Sequence, residues 1–143
     1  MKTVGIKRLR EDAILPKYAN EGDAGADLFA IEEVVIKARS RALIKTGIAL
    51  ELPKNTEAQI RSRSGLALKS GIFVLNSPGT IDEGYKGEVG IILYNSTDED
   101  FVVTKHMKVA QMVIKPVHQF DFVEVEELSE SARSDNGFGS TGL

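Results

Sequence analysis

Short apolar runs that alternate with polar or small residues recur along this sequence and predict β-strands. Two segments show the alternation clearly, with apolar residues at Ile48, Leu50 and Leu52 and at Val89, Ile91 and Leu93. Similar runs, separated by Gly, Pro, Asn, Asp or Ser, lie at residues 4–6, 28–29, 34–36, 58–60, 73–75, 101–103, 109–114 and 122–125. A period of two places one face of a strand in a core. The spacing of strands and turns favours an all-β sandwich or jelly roll.

Helix is predicted only at residues 64–70 and in the polar stretch 128–132, and both are too short to organise a core. Residues 129–143 are rich in Ser and Gly. The sequence therefore predicts a core domain at residues 1–128 and a mobile arm at residues 129–143. Phe138 lies between Gly137 and Gly139, and a disordered tail with an incidental aromatic is the alternative interpretation.

Composition limits the classes of function. A chain of 143 residues is long enough for one domain with its own core, and it contains no cysteine that could form a disulfide or a thiolate metal site. The formal charge of −3 is unsuited to coating nucleic acid. No apolar stretch reaches the roughly 20 residues needed to cross a bilayer. We therefore expect a cytoplasmic protein without nucleic-acid or membrane partners.

Basic residues nevertheless cluster locally, at Arg61, Arg63 and Lys69 and again at Arg133. Such a cluster can hold a small phosphorylated ligand despite the negative total. The Ser64-Gly65 pair stands at the start of the predicted short helix, where free amides and a hydroxyl suit a phosphate. A serine that merely caps its own helix is the alternative.

Residues 75–87 predict a β-hairpin with an acid and an aromatic near its turn. Asn76 carries both a carbonyl and an amide, which suits recognition of a base. Asp82 could deprotonate water if its surroundings tune its pKa. An ordinary turn aspartate at Asp82 and an ordinary strand aromatic at Tyr85 remain the alternatives.

Five segments, in order, resemble the five motifs of the homotrimeric dUTPase family. They are residues 24–28 (AGADL), 63–67 (RSGLA), 79–87 (GTIDEGYKG), 110–111 (AQ, which resembles the core of the fourth motif) and 133–142 (RSDNGFGSTG). The resemblance covers nearly the whole chain. It implies a jelly-roll-like (β-clip) subunit with one short helix, assembled as a homotrimer with shared active sites. It also implies hydrolysis of dUTP to dUMP and pyrophosphate with Mg²⁺, which lowers dUTP and supplies dUMP for dTTP synthesis.

The resemblance also implies roles at the phosphates. Asp82 would be the general base for a water that attacks the α-phosphorus. Phosphate oxygens would be held by Arg63, Ser64, Gly65 and Gln111, and Arg133 would clamp the γ-phosphate. Asp27 would order the magnesium shell through waters, although a carboxylate that only braces the base of the hairpin is the alternative.

Selectivity would come from the hairpin and the arm. Asn76 and the backbone of Gly79 and Ile81 would read the polar edge of uracil, and Tyr85 would leave no room for a ribose 2′-hydroxyl. Phe138 would stack on the base once the arm closes, with Gly139 and Ser140 beside it in the substrate site. Ser134 departs from the family pattern because many relatives have Gly there, which puts the closure of the arm in question.

The trimer rests mainly on the resemblance. It would explain why residues 88–95 are apolar on both faces, although a two-sided strand inside one sandwich would do so as well. Two other functions remain open, namely a dCTP deaminase-like enzyme and a non-catalytic module gated by dUTP that acts through a protein partner.

Overall fold

The structure, a computed structural model, describes residues 2–142. Met1, the first residue of the predicted core domain, and Leu143, the last residue of the predicted arm, lie outside the described residues. The elements, in chain order, are β1 (Gly5–Arg8), β2 (Ala26–Phe29), β3 (Val34–Ile36), β4 (Arg41–Glu51), β5 (Thr56–Arg61), α1 (Ser64–Ser70), β6 (Ile72–Val74), β7 (Gly79–Ile81), β8 (Glu88–Asn95), β9 (Phe101–Val103) and β10 (Lys108–Pro116). The all-β prediction with one short helix is confirmed.

The strands form two four-stranded sheets and one two-stranded sheet. Their orders are β1-β4-β8-β6, β2-β10-β5-β7 and β3-β9, and the paired strands run antiparallel. Buried Ile91 and Leu93 of the first sheet and buried Leu28 and Ile60 of the second belong to one apolar cluster. The two larger sheets therefore enclose a common core.

Three predictions of local structure are wrong. Residues 122–125 form no strand and residues 128–132 form no helix. The predicted hairpin at residues 75–87 is also absent, because β7 pairs with β5 in the second sheet whereas β6 pairs with β8 in the first. Residues 75–78 thus carry the chain from one sheet to the other. Among the described residues, no helix has the length and apolar character to span a membrane.

Asn95, at the end of β8, is a fully buried polar residue. Its Nδ2 donates to the carbonyl oxygens of Ile36 at 3.1 Å and Glu99 at 2.8 Å. Its Oδ1 accepts from the backbone N–H of Thr97 at 3.0 Å and from the Thr97 hydroxyl at 2.8 Å. One amide therefore joins β3, β8 and the turn before β9 through both its donors and its acceptor.

We expect Asn95→Asp to destabilise the fold by about 3 kcal/mol at neutral pH, because a buried carboxylate would face the two carbonyl oxygens that the amide now donates to. Urea unfolding at fixed protein concentration measures the effect. Asn136→Asp makes the same chemical change at an exposed position and is the control. Equal unfolding midpoints for the two variants would show that the Asn95 network is dispensable.

Candidate functional site

Strand β10 brings three distant segments of the chain together. Gln111 on β10 lies opposite Asp27 on β2 and, on its other side, opposite Arg61 on β5. Arg63 follows β5 by two residues and is the N-cap residue of α1, in an extended conformation. The segments 24–28, 63–67 and 110–111 therefore meet because their strands are neighbours in one sheet.

A bulge in β10 adds Lys108 to this group. Lys108 pairs with Phe29 and Ala110 pairs with Leu28, so two steps along β10 match one step along β2. In a regular strand Lys108 and Gln111, three residues apart, would point to opposite faces. Because the bulge inserts one extra residue, both side chains reach the same face.

This face forms the wall of a cavity of about 370 Å³, which we call the cation cavity. It is lined by Ala19, Asp23, Ala24, Gly25, Asp27, Arg63, Ser64, Gly65, Lys108 and Gln111. Four residues with predicted phosphate contacts, Arg63, Ser64, Gly65 and Gln111, thus share one cavity with Asp27. Its guanidinium, ammonium, hydroxyl and amide groups suit a phosphate ligand.

Asp27 is the buried charge of the cation cavity, with its side chain only 13% exposed. Its Oδ1 lies 3.3 Å from Nε of Arg63, and its Oδ2 lies 3.1 Å from Nζ of Lys108. Each carboxylate oxygen therefore faces its own cation. A buried carboxylate is stable in this setting because both oxygens are paired.

Gln111 is held by close packing against Gly25. Its Nε2 donates to the carbonyl oxygen of Ser62 at 3.0 Å. A Cβ atom at position 25 would lie only 2.1 Å from Oε1 of Gln111 and 2.9 Å from its Cδ. Glycine at position 25 therefore leaves the space that the Gln111 amide occupies.

Asp82 lies elsewhere in the same chain. Its exposed carboxylate follows the buried Ile81 at the end of β7 and lines a second cavity, of about 590 Å³. That cavity is lined by Lys54, Asn55, Thr56, Glu57, Asp82, Glu83, Gly84, Val117 and Gln119, none of which lines the cation cavity. Within one chain, the predicted general base Asp82 and the four predicted phosphate contacts of the cation cavity thus line different cavities.

The predicted base-recognition residues surround β7. Gly79 and Ile81 are buried strand residues, whereas Asn76 is exposed, with its Nδ2 near the position that a Cβ of residue 79 would take. Tyr85 is about half exposed, and its hydroxyl donates to the carbonyl oxygen of Glu88 at 2.9 Å. The tyrosine ring, three residues after Asp82 in the chain, is therefore held at the start of β8.

Residues 117–142 follow β10 without helix or strand. The guanidinium of Arg133 donates from Nε to the carbonyl oxygen of Asn136 at 2.7 Å, which closes a local turn. Phe138 is fully exposed, and Gly139 and Ser140 follow it in another turn. The structure thus places these predicted substrate contacts outside both cavities.

Ser134 has a φ of 51°, in the left-handed region. Its backbone N–H donates to Oγ of Ser131 at 3.0 Å. The conformation that glycine adopts at low cost is thus taken here by serine, in the turn that holds Arg133.

Comparison with known proteins decides the family. A family model described as dUTPase matches residues 11–142. The chain belongs to the dUTPase family. Its relatives include proteins named deoxyuridine 5′-triphosphate nucleotidohydrolase from Clostridium acetobutylicum, 64% identical, and Alkaliphilus metalliredigens, 62% identical, each over the full chain and 99% of the relative.

Solved structures of dUTPases are also similar. A mutant of the Staphylococcus bacteriophage 80alpha dUTPase with dUpNHpp is 29% identical, covers 100% of both chains and gives a TM-score of 0.92. A mutant dUTPase from phage phi11 of S. aureus, described for its coordination of a structural Mg(II) ion, is 28% identical. It covers 88% of this chain and 98% of its own and gives a TM-score of 0.82.

Lys108 and Asp23 line the cation cavity but were not among the predicted site residues. The signal for Lys108 is weak, because strand periodicity places it on the face opposite Gln111 unless the bulge is known. Asp23 precedes the segment 24–28 by one residue, and the sequence offers no further sign of its position.

We expect Gly25→Ala to cost about 1 kcal/mol, because the added Cβ displaces the Gln111 amide from its hydrogen bond with Ser62. Urea unfolding of Gly25→Ala, Gln111→Ala and the double variant forms the test. In the Gln111→Ala background the two closest atoms are gone, so the cost of Gly25→Ala should shrink. Purely additive effects of the two substitutions would contradict this packing argument.

Proposed function

We propose that this chain hydrolyses dUTP to dUMP and pyrophosphate, with Asp82 as the general base. The cation cavity is the observation that carries the proposal, since it gathers the predicted phosphate-binding groups of three separate motifs in a member of the dUTPase family. The names of the relatives, deoxyuridine 5′-triphosphate nucleotidohydrolase, support the same substrate and reaction. The reaction would lower dUTP and supply dUMP for dTTP synthesis, and we place it in the cytoplasm.

Asp82 would take a proton from a water while the water oxygen bonds to the α-phosphorus. The bond from that phosphorus to the bridging oxygen then breaks, and pyrophosphate leaves. The buried Ile81 anchors the backbone just before the carboxylate. An exposed carboxylate at the end of an anchored strand can reach such a water without rearrangement of the core.

The donor set of this chain fits a magnesium ion that the nucleotide itself carries. Among residues 2–142, no group of three or more His, Cys, Asp or Glu side chains could hold a metal ion. Magnesium prefers oxygen ligands and retains waters, so triphosphate oxygens can supply most of its shell. Both oxygens of Asp27 face cations, and its contact to the metal would therefore run through water. When bound, the ion supplies charge neutralisation on the phosphates.

Phosphate binding would fall to Arg63, Ser64, Gly65 and Gln111 in the cation cavity. Arg133 would then reach the γ-phosphate from the arm. In the chain as described its Nε is engaged by Asn136, but an arginine has further donors for a phosphate. Closure of the arm would also exclude water from the reaction.

Base and sugar selection would use the residues around β7. Asn76 and the backbone at Gly79 and Ile81 would contact uracil, and the fixed Tyr85 ring would exclude a 2′-hydroxyl. Phe138, fully exposed in this chain, would stack on the base together with Gly139 and Ser140 of the arm. A large aromatic with no packing partner of its own is suited to such a contact.

A homotrimer with shared sites would bring Asp82 of one copy to the cation cavity of another. Asp82 and the cation cavity have no lining residue in common. The outer face of the first sheet carries half-buried Ile92 and Tyr94, with the exposed Leu43 paired opposite Ile92. Phe122 in the segment after β10 is almost fully exposed. Exposed apolar side chains such as these are suited to contact with a second copy.

The substrate is tested by pyrophosphate release from dUTP, dCTP, dTTP and UTP with Mg²⁺. We expect appreciable release from dUTP alone, because uracil recognition and exclusion of the 2′-hydroxyl must both succeed. Ammonia release from dCTP would favour the deaminase-like alternative. Tight dUTP binding without pyrophosphate release would favour the non-catalytic module. Equal rates on UTP would contradict the role of Tyr85.

Shared sites are tested by mixing two inactive variants. Asp82→Asn and Arg63→Gln should each lose about 10²-fold or more in turnover, whereas Asp98→Asn, an exposed carboxylate, should not. After joint refolding, an equal mixture should recover about a quarter of the wild-type activity, since each site has an even chance of an intact residue from each of two different chains. If both residues act from one chain, the mixture stays inactive.

A further inference from the structure

Lys108 is a lysine of the cation cavity that has no role in the function proposed above. Its ammonium lies 3.1 Å from Oδ2 of Asp27, and its side chain is 45% exposed. An ammonium carries three hydrogens, and this contact uses one. Because Lys108 also lines the cavity, its other hydrogens are available to a ligand there.

The charges around Asp27 favour an anion. One buried carboxylate lies between two cations, Arg63 and Lys108, so this group of three carries a net positive charge. The other acid of the cavity, Asp23, is a hydrogen-bond acceptor in its own loop, where its Oδ2 accepts from the backbone N–H and from Nδ2 of Asn20. The cationic side of the cavity thus remains open to phosphate oxygens.

Geometry explains why Lys108 can serve together with Arg63. The bulge in β10 turns Lys108 onto the face of Gln111, and Asp27 binds each cation through a different oxygen. A long lysine side chain is otherwise mobile, and holding it in place before a ligand arrives lowers the entropy lost on binding.

We propose that Lys108 is a further phosphate-binding residue, which contacts the nucleotide's phosphate chain beside Arg63, and that Asp27 is the positioning carboxylate that holds both cations. This inference rests on the proposed function, because it assigns another contact within the same site.

The test compares Lys108→Met, Lys108→Arg and Lys105→Met. Lys105 is a matched control, since it is another half-exposed lysine paired with an aspartate, Asp12, away from the cavity. Calorimetry with dUpNHpp and Mg²⁺ and NMR titration with deoxyuridine, which lacks phosphate, give the affinities. Lys108→Met should weaken dUpNHpp binding by about 10-fold to 100-fold and leave deoxyuridine binding unchanged. Lys108→Arg should restore most of the loss, and Lys105→Met should bind dUpNHpp like the wild type.

Unchanged dUpNHpp affinity in Lys108→Met would overturn the inference, and so would an equal loss for deoxyuridine, which would indicate a structural role. An equal loss of dUpNHpp affinity in Lys105→Met would also overturn it, because the loss would then come from the net charge of the chain rather than from a contact in the cavity. In each case a wild-type chain that still hydrolyses dUTP leaves the proposed function intact. A wild-type chain that neither binds dUpNHpp nor hydrolyses dUTP would overturn both.

Discussion

The pairing of β10 with β2 on one side and β5 on the other is the constraint on which the site depends. The pairing places Gln111 between Asp27 and Arg61. Because β5 leads directly into α1, it also places the N-cap residue Arg63 beside them. The bulge then determines which face Lys108 reaches. A shift of one residue in this register would send the Gln111 side chain into the core and dismantle the cavity.

Most strands could be predicted because one face of each is buried in a common core, which imposes the alternation of apolar residues. Residues 122–125 carry the same alternation and yet form no strand, because Phe122 and its neighbours have no sheet to pack on within the chain. Strand propensity reflects how well side chains pack on a half-buried sheet, and a segment that has no sheet to pack on does not form a strand from propensity alone. The helix at residues 128–132 fails for a related reason, since so short a stretch needs packing to persist.

The site could be predicted segment by segment, but its assembly could not. Arg63 and Gln111 stand in recognisable motifs, whereas Lys108 reaches them through a bulge that strand periodicity does not reveal. The predicted hairpin at residues 75–87 was wrong because residues 82–87, around its predicted turn, carry the chain from β7 in the second sheet to β8 in the first rather than back along β7. Local pattern specifies elements, while the pairing partner of β7 is a property of the whole chain.

The presence of Asp82 and the cations in different cavities has a consequence for how such an enzyme loses activity. If catalysis requires Asp82 from one copy and the cation cavity from another, dilution below the concentration at which copies assemble abolishes the activity of every copy. Conversely, a damaged copy impairs its intact neighbours, so that a minority of faulty subunits removes a larger share of the activity. The activity of each copy would then depend on the total concentration of the protein.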